Sequence, residues 1–133
     1  MSLDNNLLNP RVVVIQKLYG NHINKDSEIT FPKHRYKKFI KDVVNGTIER
    51  KDLIEDLIKK ELKDDINENR TEIMVKLIII AAIYEFLYMH KVPVKVVINE
   101  YLKAAEFFVQ DGQKAFLNAI LDKVSKVTRA TKQ

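Results

Sequence analysis

The chain has 133 residues, of which 46% are hydrophobic and 31% charged, so it can form one compact domain with its own core. It contains no cysteine, which excludes disulfides and thiolate metal sites and suits a cytoplasmic location. The formal net charge of +5 favours an anionic partner.

Glycine and proline occur three times each, which leaves little turn chemistry and favours helices over a sheet-rich fold. The first residues contain no basic segment followed by an apolar stretch, so we expect no secretory signal. We expect a single domain over residues 1–133, with residues 1–9 and 129–133 flexible.

The first predicted helix begins at Asn9-Pro10, which is typical of an N-cap followed by proline at the first helical position. It extends to about His22. A polar loop follows, and Thr30 and Pro32 are predicted to begin a second helix. That helix is predicted to end at Asn45-Gly46, where glycine would supply a left-handed C-terminal residue.

The third helix is predicted to be capped by Thr47. Asn69 and Glu72 resemble a capping box before a fourth helix at about 70–89. The fourth helix is apolar nearly all round, but Lys76 and Glu85 interrupt it. A membrane span needs roughly 18–20 uninterrupted apolar residues, so we expect a buried central helix instead.

The fifth helix is predicted to begin at Pro93 and to carry Phe108 on its apolar stripe. Asp111 and Gly112 break this pattern, and Asp111 is predicted to cap a sixth helix. The sequence therefore predicts an all-α protein of six to seven helices.

The residue types of an enzyme site do not cluster in this sequence. His22, His34 and His90 lie in predicted loops or at helix ends, without partners at metal-ligand spacing. No glycine-rich phosphate loop or GxSxG motif occurs. We therefore expect no enzymatic activity, no metal and no cofactor.

Basic residues concentrate in two runs that contain no acid. The first run has five bases and the second has four: Lys33, Arg35, Lys37, Lys38 and Lys41, and then Lys123, Lys126, Arg129 and Lys132. Each run fits either a solvated helix face or a surface that binds nucleic acid.

Four segments, in order, resemble motifs of the NusB family of transcription antitermination factors. They are Arg11 with Gln16 to Tyr19, then Ile83 to Leu87 (IYEFL), Val92 to Glu100 (VPVKVVINE) and Phe116 to Lys123 (FLNAILDK). The resemblance spans roughly residues 10–128. It implies two packed three-helix bundles.

The resemblance also implies a function and partners. Proteins of this family bind single-stranded boxA RNA of ribosomal RNA transcripts together with NusE, a ribosomal protein. Within an antitermination complex they help RNA polymerase to read through terminators. A homodimer is a further possibility that the sequence leaves open.

By resemblance, the RNA-binding residues would be Arg11, Gln16, Tyr19, Phe108 and Phe116. Arg11 matches the last arginine of the family's basic N-terminal segment, and the two phenylalanines match aromatic positions beside RNA. Exposed aromatic rings stack on unpaired bases. The same rings also fit a helical core stripe, so both interpretations stay open.

The chain departs from the family pattern where other members carry positive charge. No base precedes Arg11, Ile80 stands at a frequent arginine position, and Glu106 replaces a lysine. Fewer bases weaken phosphate contacts, and the two basic runs or NusE would have to compensate. Two alternatives therefore remain, a helical scaffold that binds only protein and an RNA-binding subunit of an RNA modification enzyme.

Overall fold

The computed structural model of the protein describes residues 9–67 and 70–129. In these two segments it contains six helices and no strand. In chain order they are α1 (Pro10–Ile23), α2 (Lys37–Glu49), α3 (Lys51–Glu61), α4 (Ile73–Tyr88), α5 (Val94–Ala105) and α6 (Asp111–Arg129). The all-α prediction is confirmed.

The central helix α4 organises the packing, since each of the other five helices contacts it. Its buried positions lie all round the helix rather than on one stripe, as expected for a helix enclosed by others. Helices α4, α5 and α6 pack pairwise into one bundle. Helices α1, α2 and α3 also pack on α4, and α1 and α2 pack on each other. In the described part of the chain, no helix is long and apolar enough to cross a membrane.

The predicted start of α2 is wrong, since residues 30–32 are not helical and the helix begins at Lys37. Gly46 does not end the helix with a left-handed residue but lies inside it, as does Thr47, which therefore caps nothing. A Cβ atom at position 46 would overlap the end of the Tyr84 ring. The glycine thus allows α4 to approach α2 closely.

The fifth helix also ends earlier than predicted. It stops at Ala105, and a turn over residues 106–108 leads towards Asp111, which is the first residue of α6. The proposed capping box is only partly within the described residues, because Asn69 lies outside them. Glu72 is the N-cap of α4, without a side-chain capping bond.

Arg129, the last residue of α6, binds the C-terminal end of α4. Its guanidinium donates hydrogen bonds to the carbonyl oxygens of Glu85, Phe86, Met89 and Val92 at 2.7–3.2 Å. The last carbonyls of a helix have no partner within it and carry partial negative charge. Arg129 therefore ties α6 to the end of α4 and to the loop before α5.

A candidate nucleic-acid interface

Two exposed phenylalanines lie at the turn between α5 and α6, one within it and one in the helix that follows. Phe116 is 38% exposed on the second turn of α6, and Phe107 is 45% exposed in the turn itself. Phe108 is partly buried and packs against the hydrophobic core. Of the two predicted phenylalanines, Phe116 thus exposes its ring to solvent, whereas Phe108 packs the turn against the core.

Gln16 and Tyr19 lie three residues apart on α1, and both are exposed. Gln16 also lines a shallow cleft between the end of α1 and the loop over residues 24–30. The structure therefore presents two groups of predicted residues, one on α1 and one at the turn between α5 and α6. Helix α5 packs against both α1 and α6 and connects them.

Arg11 is placed differently from the other predicted residues. Its side chain is 8% exposed and forms a two-bond ion pair with Glu85, which is completely buried. Arg11 Nη2 donates to Glu85 Oε1 at 2.7 Å, and Nε donates to Oε2 at 3.0 Å. The guanidinium also lies 4.7 Å from the centre of the Phe39 ring and 5.4 Å from that of Tyr101.

This geometry makes Arg11 a connection between α1, α2, α4 and α5. Burial lowers the pKa of Arg11, but the hydrogen bonds and negative charge of Glu85 outweigh burial and raise it above its ordinary value. The guanidinium is therefore always charged. It has little surface to offer to RNA, and its placement indicates that it positions the start of α1.

Glu85 was missed as an interaction partner, although the sequence contains a signal for it. It is the one acid in the mostly apolar stretch 73–89, where Lys76 is the one base. A carboxylate in such a helix must be paired or neutralised when the helix is buried. The spacing along the chain does not identify the partner, because Arg11 is 74 residues away.

The Tyr101 hydroxyl is buried beside this ion pair without hydrogen-bond geometry to any described group. Burial, followed by the negative charge of Glu85, raises the pKa of Tyr101 well above its ordinary value. In the unfolded chain the tyrosine phenol loses its proton at about pH 10. In the folded chain the Tyr101 phenol stays protonated to higher pH. Stability should therefore fall as the pH rises above about 10.

We expect Tyr101→Phe to reduce this alkaline loss of stability, because phenylalanine has no proton to lose. Near neutral pH the variant should differ little in stability from the parent, since the buried hydroxyl lies near Glu85 and Arg11 but meets no described group at full hydrogen-bond geometry. Urea unfolding at pH 8 and pH 10.5 measures both effects. Tyr88→Phe on the surface is the control. An alkaline loss identical in Tyr101→Phe and the parent would contradict the prediction.

The two basic runs differ in their surroundings. In the C-terminal run, Lys123 pairs with Asp65, Lys126 pairs with Asp122, and Arg129 is engaged at the end of α4. In the run over 33–41, Lys38 pairs with Asp42. The other four bases of this run have no ion-pair partner among the residues that the structure describes: Lys33, Arg35, Lys37 and Lys41. The unneutralised charge therefore lies before and within the first turns of α2.

A model of the NusB family matches residues 8–126, nearly the whole length of the chain. The chain belongs to the NusB family. Arg11 and Glu85 come from two of the NusB-like motifs in the sequence, and the structure brings them together as the buried ion pair. These two motif residues thus join α1 to α4.

Relatives named transcription antitermination protein NusB match over part of their length. The protein from Thermodesulfovibrio yellowstonii is 37% identical over 90 residues, which are 68% of this chain and 59% of that protein. The protein from Mesorhizobium japonicum is 29% identical over 92 residues, covering 69% and 59%. The chain thus aligns with little more than half the length of these relatives.

The solved structure of T. maritima NusB has the same fold. It superimposes with a TM-score of 0.77 over 90% of each chain, at 23% sequence identity. This similarity agrees with the arrangement of helices around α4 and with the predicted NusB-like bundles. The described residues contain no group of His, Asp or Glu side chains that could hold a metal ion.

Proposed function

We propose that this protein is a non-catalytic, cytoplasmic antitermination factor that binds single-stranded boxA RNA of ribosomal RNA transcripts. It binds this RNA together with the ribosomal protein NusE, within an antitermination complex that helps RNA polymerase to read through terminators. The observation that carries the proposal is membership of the NusB family over residues 8–126. The names of the two relatives, which refer to antitermination, point the same way.

The exposed rings at the turn between α5 and α6 support a single-stranded ligand. Sequence-specific RNA readers mostly recognise unpaired bases, because the grooves of an A-form duplex hide the base edges. Phe116 and Phe107 offer two ring faces to such bases, and Tyr19 and Gln16 add a ring and an amide on α1. We therefore propose Gln16, Tyr19, Phe107 and Phe116 as RNA contacts, with Phe108 and Arg11 supporting them from the interior.

We expect Phe116→Ala to weaken RNA binding about tenfold, since stacking contributes on the order of 1–3 kcal/mol per base. The dependence of affinity on salt should be unchanged, because the phenylalanine neutralises no phosphate. Phe116→Leu, which keeps an apolar side chain without the ring, should be weakened similarly. Fluorescence anisotropy at several salt concentrations measures both quantities.

Thermal melts of both variants separate stacking from packing. Phe116 is more than one third exposed, so the variants should melt close to the parent. A large fall in melting temperature with unchanged RNA affinity would instead assign Phe116 to the core.

The proposed function itself is tested by titrating boxA RNA and a scrambled RNA, with and without NusE. We expect weak binding of boxA by the protein alone and tighter binding when NusE is present. Equal affinity for both RNAs in both conditions would contradict the proposal. If NusE binds while neither RNA does, the protein is a scaffold for protein partners, which the scarcity of bases before Arg11 favours as the second candidate.

A further inference from the structure

An open groove of about 400 Å³ lies where the starts of α1, α2 and α5 meet. Its volume falls within the ~300–1,000 Å³ of typical small-ligand sites. Pro10, Tyr36, Phe39 and Val96 supply apolar surface, and Arg11 and Glu100 supply polar groups. Tyr36 is 45% exposed and Val96 is 42% exposed, so both rims face solvent.

Tyr36 lies between two side chains of its neighbours in the chain, Arg35 and His34. The Arg35 guanidinium lies 5.4 Å from the centre of its ring, and the His34 ring lies 6.0 Å away at an interplanar angle of 46°. His34 also accepts a hydrogen bond from the Tyr36 backbone N–H at 2.9 Å. This bond fixes the turn that presents the tyrosine. Such a combination of rings and guanidinium is typical of surfaces on which unpaired bases stack.

Positive charge adjoins the groove residues in the chain. Lys37 directly follows Tyr36 in the first turn of α2, and Lys95 directly precedes Val96 in the first turn of α5. The first turns of α1, α2 and α5 contain no acidic residue. Cations at helix N-termini oppose the helix dipole. A polyanion bound along the rim would offset this repulsion.

Glu100 indicates which part of a nucleotide enters the groove. Its carboxylate lines the groove and would repel a phosphate, although Lys103 contacts it from the outer side at 3.3 Å. A carboxylate does accept hydrogen bonds from the exocyclic amino group of cytosine. The base therefore fits inside the groove, and the phosphates fit along the lysines outside it.

We propose that this groove, lined by Pro10, Arg11, Tyr36, Phe39, Val96 and Glu100, is a second contact for single-stranded RNA. One unpaired base stacks on Tyr36, and the adjoining phosphates lie along Arg35, Lys37 and Lys95. This inference rests on the proposed function, because it adds a second contact for the same RNA. It also assigns a role to the basic run over 33–41, whose charge replaces the bases missing before Arg11.

The test measures binding of fluorescein-labelled single-stranded boxA RNA at several salt concentrations. We expect Tyr36→Ala to bind about tenfold more weakly with an unchanged salt slope, and Tyr36→Phe to bind like the parent. The double variant Lys37→Gln/Lys95→Gln should lower the salt slope by about 0.7 for each phosphate that is no longer neutralised.

Two matched controls come from residues that do not line the groove. Tyr88 is similarly exposed, at 37%, and lies beneath a guanidinium, that of Arg50, at 4.5 Å. Lys59 and Lys60 are exposed lysines on α3. Tyr88→Ala and Lys59→Gln/Lys60→Gln should bind RNA like the parent. Thermal melts of all variants confirm that each remains folded.

The outcomes separate the groove from the proposed function. If the parent binds RNA and Phe116→Ala weakens it, but the groove variants match their controls, the groove inference is overturned and the function stands. If the groove variants bind RNA normally and lose affinity for NusE, the groove is a protein-binding surface and the inference is again overturned. If the parent binds no RNA, both proposals fail together.

Discussion

Replacing Arg11 with methionine should lower the free energy of unfolding by about 3–5 kcal/mol, because it leaves a buried carboxylate without its partner. The Glu85 side chain is completely buried, and both of its oxygens accept hydrogen bonds from Arg11. Methionine retains much of the arginine's length and fills the space beside Phe39 and Tyr101. The loss of unfolding free energy would therefore come mainly from the unpaired Glu85 carboxylate and less from a cavity.

The double variant Arg11→Met/Glu85→Met distinguishes the effect of an unpaired buried carboxylate from the effect of lost side-chain packing. It removes both ionised groups, so it should be more stable than Arg11→Met, as expected when a buried pair is replaced by apolar side chains. Urea unfolding followed by helical circular dichroism gives the free energies. Lys38→Met, which breaks the exposed pair with Asp42, should change little. If Arg11→Met unfolds at the same urea concentration as the parent, Arg11 does not hold α1 in place.

The helices with strong local signals were predicted well from the sequence. Asn9 accepts hydrogen bonds from the backbone N–H groups of Arg11 and Val12, as an N-cap should. The fourth helix, predicted at about 70–89, runs from Ile73 to Tyr88, because its apolar residues have no other way to leave water. In both cases the deciding interactions lie within the helix itself or follow from its composition.

The boundary between α2 and α3 was mispredicted because glycine serves two purposes. Gly46 next to Asn45 resembles a helix end when only the local sequence is considered. In the folded protein the same glycine makes room for Tyr84, which is 38 positions further along the chain. Such a contact between distant helices leaves no trace in the local sequence. The helix therefore continues through the predicted stop.

The candidate site was also mispredicted where it depends on contacts between distant residues. Arg11 matches a family position beside RNA, but its burial depends on Glu85, and no local pattern indicates that these two residues meet. Phe107 was missed because the family pattern pointed to the neighbouring Phe108, which packs against the core. The helix ends at Ala105, and the following turn points Phe107 to solvent. Exposure at a helix end thus depends on where the helix stops.

The central helix offers the most severe test of the fold. Ile79 and Ile83 lie four residues apart, one turn above the other, and neither has any exposed surface. We expect Ile79→Asp and Ile83→Asp each to leave the protein largely unfolded, with a loss of more than about 4 kcal/mol. An aspartate there must be buried without a partner, and its desolvation is met only by protonation or by local unfolding.

Leu53→Asp is the matched control, because it makes the same kind of change at an exposed leucine on α3 and should leave the protein folded. Helical circular dichroism against urea compares the three variants with the parent. Burial raises the pKa of a carboxyl group, so any folded fraction of Ile83→Asp should increase as the pH falls towards about 4 and decrease as it rises. That direction identifies the buried charge, rather than the lost isoleucine volume, as the cause. Should Ile79→Asp and Ile83→Asp unfold at the same urea concentration as Leu53→Asp, α4 is not enclosed by the other five helices.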